Sequence, residues 1–291
     1  MTEFDRITEG ERERGILEKI RTGVVTVDNI EEHCLPFFVK IQIQTDSRCN
    51  ARCVTCPYPV TSKKLPQGKM PEEIFYRIVD QIKGRGVERT SLFLMNEPLV
   101  DKRLERFAAH LKEQDPNTSA LIFTNGVLLT GKRAKALARS GIDEIDISIN
   151  GFDRESHERV MQGIDYDRVM NNLREVGALL RAGELEDVIV KVVGLSLPGT
   201  EEGAKAFQEE TGLDVYLKPV TNRAGLVDTA SLGGEAEKRP KMTACQRPFV
   251  KAYVLYNGDM VLCNCDWMRT KIIGNVMDAT LEELWLGETM M

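Results

Sequence analysis

Cys49-Asn50-Ala51-Arg52-Cys53-Val54-Thr55-Cys56-Pro57 directly follows an apolar-alternating run, Phe37 to Thr45. Three thiols this close together, in a chain that shows no secretion leader, indicate a metal or cluster site and not a disulfide framework. Gaps of three and then two residues let one tight loop aim all three sulfurs inward. A four-iron cluster needs four ligands, normally four Cys thiolates, and the loop supplies three. One iron then keeps an open coordination position, as a catalytic metal does, where a chelating small molecule fits. A zinc site of three thiolates and one distal ligand is the alternative that these residues alone leave open.

Outward from this loop, strand and helix patterns alternate. Phe37–Thr45 reads as a first strand, and Pro71–Lys83 as a helix with Ile74, Ile78 and Ile82 on one face. Strands follow at Thr90–Met95, Ala120–Thr124, Glu144–Ile149, Val188–Val193 and Val215–Leu217. Between them come helices through Leu104, Phe107 and Leu111, over Lys132–Ser140, through Val169, Leu173 and Val176, and near Glu201–Thr211. Such alternation implies an α/β fold with parallel strands and right-handed crossovers, and places the site at the carboxyl ends of the strands. The cysteine loop sits at the end of the first. Residues 1–36 are charged, with helical apolar spacing through Ile16, Ile20 and Val24, and read as a cap helix. Cys34, beside His33, reads as a small buried side chain at the entry to the first strand.

A second cysteine group, Cys245, Cys263 and Cys265, lies in a small C-terminal unit over 242–291. Residues 222–241, rich in Gly and charge, form a linker or substrate loop before it. Alternating Tyr253, Leu255, Met260 and Leu262 around Asn257-Gly258 read as a β-hairpin that brings distant thiols side by side. A helix, Leu281-Glu282-Glu283-Leu284-Trp285, follows.

Composition narrows the class. The 291 residues, 42% hydrophobic and 29% charged, suit one large α/β domain with a small appendix. A net charge of −6 argues against a nucleic-acid partner. Apolar runs are too short to span a bilayer, and a cytoplasmic, reducing location is expected.

The loop pattern C-x3-C-x2-C after a first strand resembles the radical S-adenosylmethionine (radical SAM) enzymes, although Thr55 stands where that family has an aromatic; Tyr58 fits the same space. The resemblance implies a partial (β/α)6 barrel over 37–221, with a [4Fe-4S] cluster on Cys49, Cys53 and Cys56 and S-adenosylmethionine chelating the open iron. Leu94-Met95-Asn96-Glu97-Pro98 replaces the family's Gly-Gly-Glu-Pro. Glu97 is then expected to take the methionine ammonium, with the Asn96 side chain as a further acceptor. Thr124-Asn125-Gly126 matches a common family turn. Ser148 and Asn150, in Ser148-Ile149-Asn150-Gly151, match its Ser-x-Asp-Gly, with Ser148 toward the ribose or carboxylate. His157, just after, reads as a surface or helix-terminus residue. Leu195 corresponds to the stretch that packs on adenine. Arg223 faces the barrel mouth, for a cofactor carboxylate or a polar substrate, or is a solvated linker residue.

The C-terminal unit resembles the SPASM and twitch extensions, which implies an auxiliary iron–sulfur cluster on Cys245 and Cys263. Full units continue into a further cysteine-rich tail, so the extension is expected to be incomplete. Cys265 is then either a third ligand or a thiol that returns a hydrogen atom to a substrate radical. The implied enzyme abstracts hydrogen from a polar small molecule, such as a sugar, aminocyclitol or aminoglycoside intermediate. Dehydrogenation or epimerisation in natural-product biosynthesis is the expected outcome, with a one-electron reductant such as flavodoxin or ferredoxin. A peptide or protein maturase is the alternative enzyme, and a zinc-binding scaffold the alternative without catalysis.

Overall fold

The computed structural model describes residues 11–26, 28–229, 232 and 245–290. Most of the 222–241 linker and the start of the unit at Met242 lie outside the described residues, as do the first ten. One nine-stranded sheet organises the molecule, in the order β6-β5-β4-β3-β2-β1-β7-β8-β9. The first six strands are β1 Lys40–Ile43, β2 Arg89–Ser91, β3 Ser119–Thr124, β4 Glu144–Ser148, β5 Ile189–Leu195 and β6 Asp214–Lys218. All pair in parallel in chain order. Helix α1 is Glu11–Arg21, and α2 Glu72–Ile82, α3 Leu104–Gln114, α4 Gly131–Arg139, α5 Tyr166–Arg181 and α6 Thr200–Thr211 supply the crossovers.

Burial explains the alternation. Ile74, Phe75, Ile78, Val79 and Ile82 form one buried stripe on α2, and Phe75 stacks on Phe107 of α3 with ring centroids 4.2 Å apart. Burying one such aromatic contributes about 1.5–3 kcal/mol. On the concave side the odd members of each strand turn into the lumen, and several of these are charged: Lys40, Arg89, Glu144, Asp146 and Lys191. An open six-strand curl therefore encloses a polar interior and not a packed apolar one.

Two sequence expectations are shifted. The second strand ends at Ser91, not Met95, because Asn96 Oδ1 accepts from Leu94 N at 2.8 Å and Met95 takes a left-handed φ of 57°, which folds 92–96 into a turn. Along α1, Ile16 and Ile20 are buried as expected, but Val24 is half exposed and Val25 takes its place against Val39, Phe249 and Val250. This helix closes the amino-terminal end of the lumen, where buried Glu13 pairs with Lys40 and with Lys251, the latter at 2.7 Å.

The C-terminal strands continue the same sheet. Strand β7, Lys251–Val254, lies parallel to β1, and β8 Asp259–Val261 and β9 Ile272–Asn275 run antiparallel beyond it. Gly258, at φ 88°, makes the tight turn between β7 and β8. Helix α7, Leu281–Trp285, is capped by Thr280 and Glu283 in a reciprocal capping box. Its Trp285 is fully buried, packs edge-on to Phe38 at 5.5 Å and donates Nε1–H to the Leu35 carbonyl at 2.8 Å.

Candidate active site

The cysteine loop is held by backbone bonds on both flanks. Arg52 N donates to the Gln162 carbonyl at 2.7 Å and Val54 N to that of Val160 at 2.9 Å. Cys49 N donates to Tyr58 Oη at 2.8 Å, and Asn125 Nδ2 to Asn50 Oδ1 at 2.7 Å. Tyr58 therefore acts on the loop through a hydrogen bond. Two thiols receive amide N–H groups: Ala51 N on Cys49 Sγ at 3.4 Å and Tyr58 N on Cys56 Sγ at 3.5 Å. Burial pushes Cys49 up to about 12 and raises Cys53 and Cys56 as well. Such thiols ionise only when a cation joins them.

Glu97 stands behind this loop, 2% exposed, and its backbone N–H donates to the Arg48 carbonyl at 3.1 Å. Its carboxylate accepts from Thr124 Oγ1 at 2.6 Å, Asn125 N at 2.7 Å and Leu99 N at 3.1 Å. Burial outweighs these bonds and pushes the carboxyl up to about 7. Asn96 differs from the expectation: its acceptor oxygen is spent on Leu94, and its amide Nδ2 is the buried atom without a partner. It offers donors, not an acceptor.

A cavity of about 490 Å3 opens over these groups. Cys49, Cys53, Cys56, Asn96, Glu97, Ser148, Asn150, Leu195 and Arg223 all line it, so the structure brings together every residue expected there from the barrel strands. Gly194 lets β5 approach β4, since a Cβ there would lie 2.8 Å from the Ile149 carbonyl oxygen. Arg223 is exposed at the rim with a left-handed φ of 47°, and its charge reaches both Cys56 and Cys265. His157 is fully buried beside Tyr166, not at the surface.

The second cysteine group stands at the side of the cavity. Cys265 N donates to Cys263 Sγ at 3.3 Å, and Arg247 Nη1 to Cys265 Sγ at 3.2 Å. The hydrogen bond from Cys263, with the Arg247 guanidinium, holds the Cys265 thiol well below its ordinary range. Cys245 is exposed, and Arg247 feels the charge of all three sulfurs. Arg247, Asn264 and Trp267 line the cavity, whereas Cys245, Cys263 and Cys265 do not. Sequence reasoning missed Lys218, Arg247 and Trp267 as cavity residues. The place of Lys218 at the end of β6 and of Arg247 two residues after Cys245 were the available signals.

The donor set fits a cluster. Among the described residues no three His, Cys, Asp or Glu side chains meet as the shell of one ion, as zinc requires. A cubane asks each thiolate to bind a different iron. Asn96 Nδ2 and Trp267 Nε1, buried and unpartnered beside the cavity, are donors for a polar ligand seated over that loop.

Comparison with known proteins agrees with this geometry. The profile of the radical SAM superfamily matches residues 43–197, more than half of the chain, and that of an iron–sulfur cluster-binding domain, SPASM, matches 245–291. The chain is 22% identical over 249 residues to the S-adenosyl-L-methionine-dependent 2-deoxy-scyllo-inosamine dehydrogenase of Niallia circulans, covering 85% of this chain and 82% of that one. The crystal structure of BtrN in complex with AdoMet and 2-DOIA superposes with a TM-score of 0.63 at 22% identity, over 87% of this chain and 84% of that one. Streptococcus suis SuiB bound to its precursor peptide SuiA gives 0.69 at 15% identity, over 94% and 68%. No helix among the described residues is long and apolar enough to cross a membrane.

Proposed function

Since the chain belongs to the radical SAM superfamily, we propose that it removes a hydrogen atom from a carbon of a polar small molecule and yields a dehydrogenated product. Its cofactors are a [4Fe-4S] cluster with S-adenosylmethionine, and an auxiliary iron–sulfur cluster. When bound, the first cluster and the sulfonium supply a 5′-deoxyadenosyl radical that takes the hydrogen atom. Cys49, Cys53 and Cys56 hold that cluster. Glu97 takes the methionine ammonium as a charge-assisted acceptor, and Asn96 Nδ2 donates to its carboxylate. Ser148 and Asn150 serve the ribose, and Leu195 with Gly194 gives adenine a flat apolar wall. Arg223 at the rim holds a polar group of cofactor or substrate, and the barrel walls keep water from the radical.

Cys245, Cys263 and Cys265 are assigned to the auxiliary cluster. A hydrogen donor must carry S–H and face the substrate, whereas Cys265 receives an N–H from Arg247 and stands outside the cavity lining. That favours dehydrogenation over epimerisation. The likeness to the Niallia circulans dehydrogenase supports a sugar or aminocyclitol, and the reductant proposed is a flavodoxin or ferredoxin. The peptide-maturase reading draws on the fold likeness to SuiB alone.

The observation that carries this reading is the convergence of three half-buried loop thiols and the buried Glu97 on one cavity. Anaerobically reconstituted protein tests it. Reduction in the presence of S-adenosylmethionine is expected to give methionine and 5′-deoxyadenosine; cluster-loaded protein that gives neither overturns it.

A further inference from the structure

The cysteine loop has an outer face as well as the inner one that meets the cavity. Residues 47–69 close on themselves: Ser47 N donates to the Gly68 carbonyl at 2.9 Å, Gly68 N to Ser47 Oγ at 2.8 Å, and Met70 N to the Thr45 carbonyl at 2.8 Å. Within this loop Ala51, Cys53 and Thr55 line the cavity, whereas Arg52 and Val54, alternating with them, are exposed and do not. Val60, Lys63, Lys64 and Lys69 are likewise exposed and outside the cavity lining. One side of the loop therefore meets the cofactor site, and the other meets solvent.

The outer face is basic and partly apolar. Its charged residues are Arg48, Arg52, Lys63, Lys64 and Lys69, with no Asp or Glu anywhere in 47–69, in a chain whose net charge is −6. Arg48 is answered by the buried Asp46, and among the described residues the other four enter no ion pair. In the same loop Val54 and Val60 are 38% and 52% exposed, although both are apolar. Val54 follows Cys53 directly, so this surface lies one Cα step, about 3.8 Å, from a cluster ligand. Exposed apolar side chains among charges of one sign suit a brief encounter with a partner of the opposite sign.

We propose that this outer face docks an acidic one-electron carrier protein, which passes its electron inward to the cluster held by Cys49, Cys53 and Cys56. This rests on the radical reading above and adds to it the place where the reductant binds. The carrier loses one electron and the cluster gains one; no atom is transferred. The cavity side does not serve as the entry, because S-adenosylmethionine and substrate fill it and water is kept out. An acidic carrier is drawn to Arg52, Lys63, Lys64 and Lys69, whereas the net negative charge of the whole chain repels it elsewhere.

Stopped-flow mixing of the anaerobic holoenzyme with reduced flavodoxin, an acidic carrier, tests the proposal, with reoxidation of the flavin as the readout. Lys63→Glu/Lys64→Glu is expected to slow electron transfer about tenfold or more at low salt, and the parent rate should fall steeply as salt rises. Iron content and circular dichroism of this variant should match the parent. Lys19→Glu/Lys205→Glu makes the same change in net charge at exposed positions on α1 and α6, and should slow transfer far less. Transfer as fast in Lys63→Glu/Lys64→Glu as in the parent overturns the proposal, as does equal slowing by the control pair, because net charge alone then acts. A parent rate indifferent to salt overturns it too. Dimerisation of the parent that Lys63→Glu/Lys64→Glu abolishes, read by sedimentation, would seat a second copy on this face and also overturns it. Cleavage of S-adenosylmethionine with dithionite as reductant, measured on the same samples, separates the two readings. Intact cleavage with unslowed transfer removes only the docking face, and absent cleavage with selectively slowed transfer removes only the radical reading.

Discussion

The two cysteine groups present the same sulfur atoms in different electrostatic settings. Around Cys49, Cys53 and Cys56 burial is the main cause that keeps the thiols protonated, and the carboxylate of Glu97 adds to it at Cys49 and Cys53. Around Cys263 and Cys265 a guanidinium, that of Arg247, donates directly to sulfur. On the function proposed, the carboxylate behind the first group suits a positively charged ligand on an open iron. In the second group the neighbouring thiol and the guanidinium stabilise one thiolate, that of Cys265. If the two groups hold a working and a supporting cluster as proposed, ligand spacing alone does not separate them, and the charge beside the sulfur is the difference the structure offers.

Breaking the first group should have the largest effect. Cys53→Ala is expected to abolish formation of 5′-deoxyadenosine and to remove about four irons per chain, one cluster's worth. Cys263→Ala should lose iron of the other cluster while the reductive cleavage survives. Iron determination and chromatography of the nucleoside check both, and loss of cleavage in both variants would erase the distinction.

Next in size is the anchor that fuses the second group to the barrel. Trp285→Ala removes a fully buried ring and its bond to Leu35, and should cost about 3–5 kcal/mol. Chemical denaturation should show one cooperative transition moved to lower denaturant; a separate early transition would mean that the C-terminal strands fold alone.

Glu97→Gln sharpens the role of the first carboxylate. Removing its charge should weaken S-adenosylmethionine binding by about 1.5–3 kcal/mol, the worth of a hydrogen bond to a charged group. The pH dependence has a definite sign. Burial raises the folded carboxyl to about 7 from an ordinary value of 4.5. Stability that Glu97 contributes to the ligand-free protein is therefore fully present below the ordinary value and is lost as pH rises through about 7. Binding of the ammonium runs the other way, weakening as pH falls below that value. Thermal melts and titrations between pH 6 and 8 should show both slopes, and Glu97→Gln should flatten them.

Arg247→Gln is the smallest. It keeps a donor but removes the charge at Cys265, and should lower the reduction potential of the auxiliary cluster, read by redox titration, with iron content little changed. An unchanged potential would mean that the guanidinium serves only to pack.

Much of this was legible in the sequence because it is local. C-x3-C-x2-C fixes three sulfurs on one loop whatever surrounds it, and β3, β4 and β5 announce themselves as apolar runs with their site residues at the carboxyl ends. The pairing of β7 with β1 was not legible, since Lys40 and Lys251 meet across two hundred residues of chain. Nor was the charged lumen: each cation on its own strand reads as a solvated residue, and only curling the sheet collects them. Asn96 was assigned the wrong hydrogen-bonding end because its oxygen is consumed by a turn only three-dimensional structure reveals. Cys265 resisted assignment because its partner, Arg247, lies eighteen residues away.

The vacant iron on the first cluster is the claim everything else depends on. Electron paramagnetic resonance of the reduced Cys245→Ala/Cys263→Ala/Cys265→Ala protein isolates that cluster, and the spectrum is recorded before and after addition of S-adenosylmethionine. The account predicts a clear change in g values as the methionine amine and carboxylate occupy the open position. A spectrum that S-adenosylmethionine leaves unaltered would contradict it.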